Sequence, residues 1–196
     1  MNPGANDVSI SRVAASHGSS SGGGRLHWIR TIAYWICTLI IAWEMVAGSI
    51  WDLLHIEYVR VTFQHLGYPL YVLYIIGVWK LPCALTLLVP RFLRLKEWAY
   101  AGALFNYSGA AASHLLAGDD AVVWIGQAGF AALALASWAL RPPDRRLPDP
   151  SPATGMRAVS WFVPAAVFVV LLASAVLTLP VGPPPPWTYG NPITGR

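Results

Sequence analysis

Five long apolar segments dominate the sequence and decide what it can fold into. They cover residues 28–51, 68–89, 98–117, 121–140 and 158–179. Each is long enough to cross the hydrocarbon core of a bilayer, about 30 Å thick, at the helical rise of about 1.5 Å per residue. Because backbone amides in lipid must be paired within their own segment, the segments are predicted to be helices. The sequence therefore predicts an all-α membrane protein.

The composition supports this prediction and excludes other classes. The chain is 56% hydrophobic and only 11% charged, whereas a soluble domain is about 25% charged. Its net charge is +4, but the basic residues lie in short clusters between apolar segments, so no nucleic-acid partner is expected. Cys37 and Cys83 lie inside apolar segments without a CxxC pair. Neither a disulfide scaffold nor a redox dithiol is therefore predicted.

The segments divide the chain into a four-helix bundle and a separate fifth transmembrane helix. A proline-rich charged linker stands between them, and stretches of low complexity flank both ends. The predicted parts are a disordered cytoplasmic arm (1–26), a four-transmembrane-helix bundle (27–141), the linker (142–157), the fifth C-terminal transmembrane helix (158–180) and an extended Pro-rich tail (181–196). Between the first two segments, residues 52–67 are predicted to form a short amphipathic helix on the membrane surface.

The distribution of basic residues predicts an orientation. With a cytoplasmic N-terminus, ten of the 13 Lys and Arg residues face the cytoplasm, whereas only Arg60 and Arg196 face the outside. Basic residues in short loops favour the cytoplasmic side. The N-terminus is therefore predicted to be cytoplasmic, with the C-terminus outside. The first segment is too long and begins too late for a cleaved signal peptide.

Two ionisable side chains lie deep within the predicted membrane segments. Glu44 and Lys80 each cost about 2.5–3.5 kcal/mol to insert, so both are candidates for a function. Their charges are opposite and their depths differ by little more than one helical turn, which the lysine stem can span. We therefore hypothesise that they pair inside the bundle. The pair could fix the register of two helices or form a proton or ligand site.

Polar residues on other segments are predicted to lie at similar depth. Glu44, Lys80, Asn106, His114 and Gln127 come from four segments and fall at mid-depth or in the outer half. A few polar groups that converge in an apolar surround are typical of a ligand pocket. The sequence therefore predicts a binding site that opens outward and uses these five residues.

Some of the same residues also fit a purely structural role. Gly102, Asn106, Gly109 and Ser113 form one stripe along the third segment, and such stripes let neighbouring helices pack closely. Pro82, two residues after Lys80, is expected to kink its helix. The histidines and acids of the outer loops show no tight ligand spacing such as HExxH, so no metal site is predicted.

The blocks LGYP, GVWK, VPRF, KEWAYAG and GAxxSHL occur in this order along the chain. Together they resemble the DoxX-like family of small bacterial membrane proteins, and the resemblance covers about residues 28–142. Pro82 and Cys83 depart from the small or aliphatic residues expected after the lysine. The positions typical of the family are Gly67, Tyr68, Pro69, Lys80, Pro90, Lys96, Glu97, Trp98, Gly102, Gly109, Ser113 and His114.

The resemblance implies a four-helix bundle in the bacterial inner membrane, related to the membrane subunits of a thiosulfate:quinone oxidoreductase. One hypothesis is a quinone- or lipid-binding subunit of a redox system, in which Lys80 and His114 donate hydrogen bonds to the ligand. The alternative is a non-enzymatic anchor, which docks other membrane or extracytoplasmic subunits through the fifth helix and the tail. The chain lacks a haem CxxCH motif and a dithiol, so any electron transfer would need a partner protein or the quinone itself. Whether it is an enzyme stays open.

Overall fold

The structure, a computed structural model, describes residues 20–146 and 159–182. Within these two ranges the regular secondary structure is entirely helical. The predicted arm up to residue 19, the linker from residue 147 and the tail from residue 183 lie outside the described residues. The helices are α1 (Ser20–Leu53), α2 (Glu57–His65), α3 (Tyr71–Leu88), α4 (Leu93–Ala117), α5 (Ala121–Leu140), a 3-10 turn (Pro143–Arg145) and α6 (Val159–Leu177).

Among the residues that the structure describes, three helices are long and apolar enough to cross a membrane: α1 from Gly24 onward, α3 and α5. Polar residues in the second half of α4, Asn106 and His114 among them, lower the mean hydropathy of this helix. The apolar part of α6 that is described, Phe162–Leu177, is shorter than a span. The prediction of an all-α membrane protein is thus confirmed. By length and composition the described residues give three candidate spans, where the sequence predicted five.

Helix α1 lies at the centre of the bundle. It packs on α3, α5 and α6, and α4 packs mainly on α5 and less extensively on α3. Close approach of α1 and α3 depends on small residues: Ser49 Oγ donates to the Gly77 carbonyl at 2.6 Å, and a Cβ at Gly77 would lie 2.9 Å from Leu53 Cγ. α6 is joined to α1 by a 3.2 Å hydrogen bond from Trp43 Nε1 to Ser174 Oγ.

The two ends of the bundle are called the α2 end and the Arg145 end. The α2 end carries α2 and the turn between α4 and α5. The Arg145 end carries the connection between α3 and α4, the C-terminus of α5 and the 3-10 turn. Arg145 reaches from that turn to the last carbonyls of α3, 3.4 Å from Leu88 O, which holds the two connections together.

A short helix forms where the sequence predicted one, and α3 contains Pro82, the residue expected to kink it. α2 occupies Glu57–His65 between the first two apolar segments, as expected. α3 continues through Pro82, and Thr86 Oγ1 donates to the Pro82 carbonyl at 2.7 Å. α1 begins at Ser20, within the segment predicted as a disordered arm, and α4 begins at Leu93, five residues before the predicted segment.

Candidate functional site

A cluster of three charged side chains lies between α1 and α3. Lys80 Nζ is 3.1 Å from Asp52 Oδ2 and 3.7 Å from Glu44 Oε1. The contact to Asp52 is an ion pair without good hydrogen-bond alignment. The Asp52 side chain is only 4% exposed, so this carboxylate depends on the lysine for compensation. The hypothesis that Glu44 and Lys80 pair is confirmed, with Asp52 as a second carboxylate.

Sequence reasoning missed Asp52 because it placed this residue in the loop after the first segment. α1 instead continues to Leu53, which keeps Asp52 inside the helix. Glu44, Gly48 and Asp52 are spaced by four residues, a spacing that places side chains on one face of a helix. That periodicity is the signal from which the second carboxylate could have been found.

Gly48 makes room for the lysine between the two acids. A Cβ at this position would lie 2.6 Å from Lys80 Nζ and 3.1 Å from Glu44 Oε1. Contacts this short exclude any side chain unless the ammonium group moves. The glycine is therefore part of the cluster.

Tyr107 joins the cluster to a third helix. Its hydroxyl, on the buried face of α4, donates to Glu44 Oε2, while Glu44 Oε1 faces Lys80. Because the tyrosine ring also packs against Phe130, with ring centroids 5.4 Å apart, α5 indirectly supports this contact. One carboxylate therefore ties α1 to both α3 and α4. The sequence carried no charge or motif signal for Tyr107.

The charges of the cluster do not balance when every group is ionised. Two carboxylates, Glu44 and Asp52, face one ammonium group within a largely buried site. An excess charge in a low-dielectric surround is costly. The hydrogen bond that the Tyr107 hydroxyl donates to Glu44 offsets part of this excess charge.

A cleft of about 430 Å³ lies between α3 and α4 beside this cluster. The cleft exists because α3 packs less extensively on α4 than on α1. Small residues on the α4 wall, Ala99, Gly102 and Ala103, leave further space. The lining is almost entirely apolar. It consists of Met45, Ile75, Ile76, Trp79, Lys80, Pro82, Cys83, Thr86, Leu95, Trp98, Ala99, Gly102, Ala103 and Asn106.

Lys80 and Asn106 place polar groups from two helices on the wall of the cleft. Asn106 is half-buried, and within residues 20–146 and 159–182 its side-chain amide has no hydrogen-bond partner. An amide carries two donor hydrogens and an acceptor oxygen. The cleft therefore combines an apolar surface with hydrogen-bonding capacity that the described chain leaves unused.

The structure brings together only part of the predicted five-residue site. Glu44 and Lys80 form the cluster, and Asn106 joins Lys80 on the cleft wall. His114 and Gln127 are not on that wall. The cleft also extends from mid-depth toward the Arg145 end, whereas the sequence predicted a pocket in the outer half, toward the α2 end.

His114 belongs to a separate cluster at the α2 end. Its Nδ1 lies 2.6 Å from Asp119 Oδ2, and His65 Nε2 lies 2.6 Å from Asp119 Oδ1. The single carboxylate thus bridges α2 and α4 across the turn that follows α4. In the described ranges no group of three or more His, Cys, Asp or Glu side chains is placed to hold a metal ion. The three side chains of this cluster hold α2 against α4, and we call them the latch.

A second set of buried cations closes the Arg145 end of α3. Lys96, which is fully buried, donates to the carbonyls of Thr86 and Leu87, the latter at 3.0 Å. Arg145 donates to Leu88 O and, at 3.2 Å, to the hydroxyl of Tyr34. Cations at the C-terminus of a helix satisfy its last carbonyls and its dipole. These residues therefore support the wall of the cleft near Thr86.

The fold and the cluster together define the class of protein. Apolar helices of membrane-spanning length surround a largely buried ion cluster, so the chain is a helical membrane protein. The family model described as the DoxX-like family matches residues 36–137. This is just over half of the sequence, and the chain belongs to the DoxX-like family. No curated protein and no solved structure matches the chain.

The matched region contains both the ion cluster and the cleft. It begins in α1 and ends near the C-terminus of α5. Glu44, Asp52, Lys80 and Asn106 all lie inside it. The site thus lies within the part of the chain that matches the family model. α6 lies outside the matched residues and packs on α1.

Proposed function

We propose that this protein binds a lipid-soluble carbonyl compound of the quinone class in the cleft between α3 and α4. The observation that carries the proposal is an apolar cleft of about 430 Å³ with two polar side chains, Lys80 and Asn106, on its wall. Binding sites for small apolar molecules have about this size and this sparse polar content. A lipid-soluble ligand matches the apolar lining, and a carbonyl head matches the donors.

The donors come from two different helices, which suits a ligand that lies between them. The Lys80 ammonium carries three protons, and two carboxylates approach it from the α1 side. The Asn106 amide adds donors from α4. A carbonyl oxygen at this level accepts from either group, while the ring and tail contact Trp79, Trp98 and the small residues of α4.

The ion cluster gives the ligand head a neighbouring proton store. Glu44 and Asp52 supply carboxylates that can accept a proton, and Lys80 links them to the cleft. Quinone-class molecules exchange protons when their oxidation state changes. The proposed role of this protein is to hold and orient such a ligand beside a proton-exchanging group, with electrons supplied by a partner protein.

We also propose that α4 and the fifth apolar helix, α6, cross the bilayer, giving four spans plus a fifth. α4 has 25 residues, which at about 1.5 Å per residue is longer than the hydrocarbon core. Two of the charges near its start are compensated: Lys96 binds carbonyls, and Glu97 Oε1 is 2.7 Å from Arg141 Nη1. An N-terminus in the cytoplasm of a bacterial cell is part of the same proposal, and the distribution of basic residues supports it.

Two glycines on α4 provide a matched test of the cleft. Neither Gly102, on the cleft wall, nor Gly109, outside it, would bring a Cβ within 4 Å of another group. Gly102→Leu therefore fills the cleft without a built-in clash, and Gly109→Leu makes the same change elsewhere. The full chain is reconstituted in lipid nanodiscs with a ubiquinone or menaquinone, and the retained quinone is quantified by mass spectrometry.

The expected result is that wild type and Gly109→Leu retain quinone, whereas Gly102→Leu and Asn106→Leu retain at least about tenfold less, a loss of about 1.4 kcal/mol of binding. Equal retention by all four proteins would overturn the proposal. A further truncation after residue 146 tests the anchoring alternative. Loss of partner subunits on truncation, with quinone retention unaffected by cleft variants, would favour an anchor over a ligand-binding subunit.

A further inference from the structure

Two arginine side chains converge on a single carbonyl oxygen at the end of α5. Arg30 Nη2 donates to Ala139 O at 3.0 Å, and Arg146 Nη2 donates to the same oxygen at 2.5 Å. Among the described side chains, neither guanidinium forms an ion pair with a carboxylate. Two positive charges are therefore held close together with only a neutral acceptor between them.

These arginines line a small basic pocket of about 80 Å³ between the start of α1 and the end of α5. His27 and Arg141 complete its polar wall. Arg141 is already engaged by Glu97 at 2.7 Å. Desolvation, followed by the positive charges of Arg30 and Arg141, lowers the pKa of Arg146. The electrostatic environment of the pocket thus favours an added negative charge.

Capping of α5 accounts for only part of this arrangement. The last carbonyls of a helix attract cations, and one guanidinium is sufficient to satisfy the Ala139 oxygen. Arg146 also donates through Nε to Arg141 O at 2.6 Å, which fixes its plane. The second arginine brings a repulsive charge to a site that is already capped. An anion between the two guanidiniums would turn that repulsion into attraction.

We propose that this basic pocket binds the phosphate group of an anionic phospholipid. Arginine pairs bind phosphate oxygens with several parallel hydrogen bonds, and basic pockets between membrane helices bind lipid head groups. The turn of α1 that carries Arg30 also bears exposed apolar side chains: Trp28 is 69% exposed and Ile29 is 58% exposed. Acyl chains attached to the phosphate would lie on these side chains, which selects a lipid over a free anion.

The test compares lipid retention by the full chain and two charge-matched variants. Wild type, Arg30→Gln/Arg146→Gln and Arg60→Gln/Arg94→Gln are reconstituted in nanodiscs of mixed phosphatidylglycerol and phosphatidylcholine, extracted gently and analysed by native mass spectrometry. Arg60 and Arg94 are exposed and do not line the pocket, so the control removes the same total charge. The variant Arg30→Lys/Arg146→Lys changes the same two positions but keeps both charges. It therefore distinguishes loss of charge from misfolding caused by substitution at these positions.

The proposal predicts that wild type, the control and the lysine variant retain phosphatidylglycerol in preference to phosphatidylcholine. The Gln double variant should lose about 30-fold in affinity, since each basic residue contributes about fivefold. Equal retention by the Gln variant and the control would overturn the proposal. Displacement of the retained lipid by millimolar inorganic phosphate, or phosphate binding without lipid selectivity, would assign the pocket to a free anion and would overturn it as well.

Discussion

Lys80 Nζ and Asp52 Oδ2 lie 3.1 Å apart, on helices α3 and α1. This contact places a carboxylate from the last turn of α1 against a lysine near the middle of α3. The lysine stem extends toward the α2 end to reach it, while Glu44 approaches from a position two turns earlier on α1. The ion cluster therefore fixes the depth of α3 relative to α1, and its lysine also lies on the wall of the cleft.

Removal of the lysine should be far more damaging than removal of the whole cluster. Lys80→Met leaves Glu44 and Asp52 without a cation, and breaking a buried pair in this way costs about 3–5 kcal/mol. Replacing all three, as in Glu44→Gln/Asp52→Asn/Lys80→Met, removes the uncompensated charge and should recover most of the stability. Thermal unfolding in detergent measures both. A Lys80→Met protein as stable as wild type would contradict the charge assignment.

A side chain at Gly48 should displace the lysine and destabilise the protein. In Gly48→Ala, the new Cβ would lie 2.6 Å from Lys80 Nζ, and the ammonium would have to leave its position between the acids. Overpacking of this kind costs about 1–3 kcal/mol. Gly126→Ala is the control, because a Cβ there has no neighbour within 4 Å and helix propensity favours alanine by about 1 kcal/mol. Equal unfolding temperatures for the two variants would show that the lysine is not held at Gly48.

Tyr107→Phe should loosen the contact between α1 and α4 without emptying the core. The ring stays, but Glu44 Oε2 loses its hydroxyl donor. A hydrogen bond to a charged group contributes about 1.5–3 kcal/mol, and the loss is measured by thermal unfolding. Tyr68→Phe removes an exposed hydroxyl bond to Ser113 of 2.8 Å and serves as the control. A larger effect at Tyr68 than at Tyr107 would contradict the role given to Glu44.

Asp119→Asn should release α2 while leaving the cleft intact. The change weakens both contacts of this carboxylate, to His65 and to His114. Hydrogen exchange in α2 is expected to accelerate by at least about tenfold, because a charged hydrogen bond contributes about 1.5–3 kcal/mol to local stability. Asp120→Asn, at an exposed neighbour, should leave exchange unchanged. Unchanged hydrogen exchange of α2 in Asp119→Asn would contradict the role of Asp119 in holding α2. A loss of quinone retention in the same variant would contradict the separation of the latch from the cleft.

The sequence was sufficient for the three clearest spans and for the central ion pair. Continuous apolar composition defines α1, α3 and α5, and opposite charges at similar depth are forced together by the cost of burying either alone. Counting residues also gives depth along a helix. It does not give the boundary between a helix and a following loop, and for that reason Asp52 was missed.

Depth alone also misplaced His114. It follows Asn106 by eight residues on the same face of α4, which is about 12 Å farther along the helix axis. The latch partner Asp119 comes after α4 has ended at a left-handed Gly118, with φ +81°. Which of two polar groups on one helix face meets a neighbouring helix depends on tertiary packing. The fully buried Lys96 was likewise unforeseen, since its carbonyl partners belong to the end of another helix.

The central claim is that the cleft beside Lys80 holds a lipid-soluble carbonyl ligand. Photolabelling tests this most directly: a photoreactive quinone is added to the full chain in nanodiscs, and labelled peptides are mapped by mass spectrometry. The account predicts labels on residues 75–86 of α3 and 95–106 of α4, suppressed by excess unlabelled quinone and by Gly102→Leu. Labels that concentrate near His114 at the α2 end, or that spread over all lipid-facing helices without competition, would contradict it.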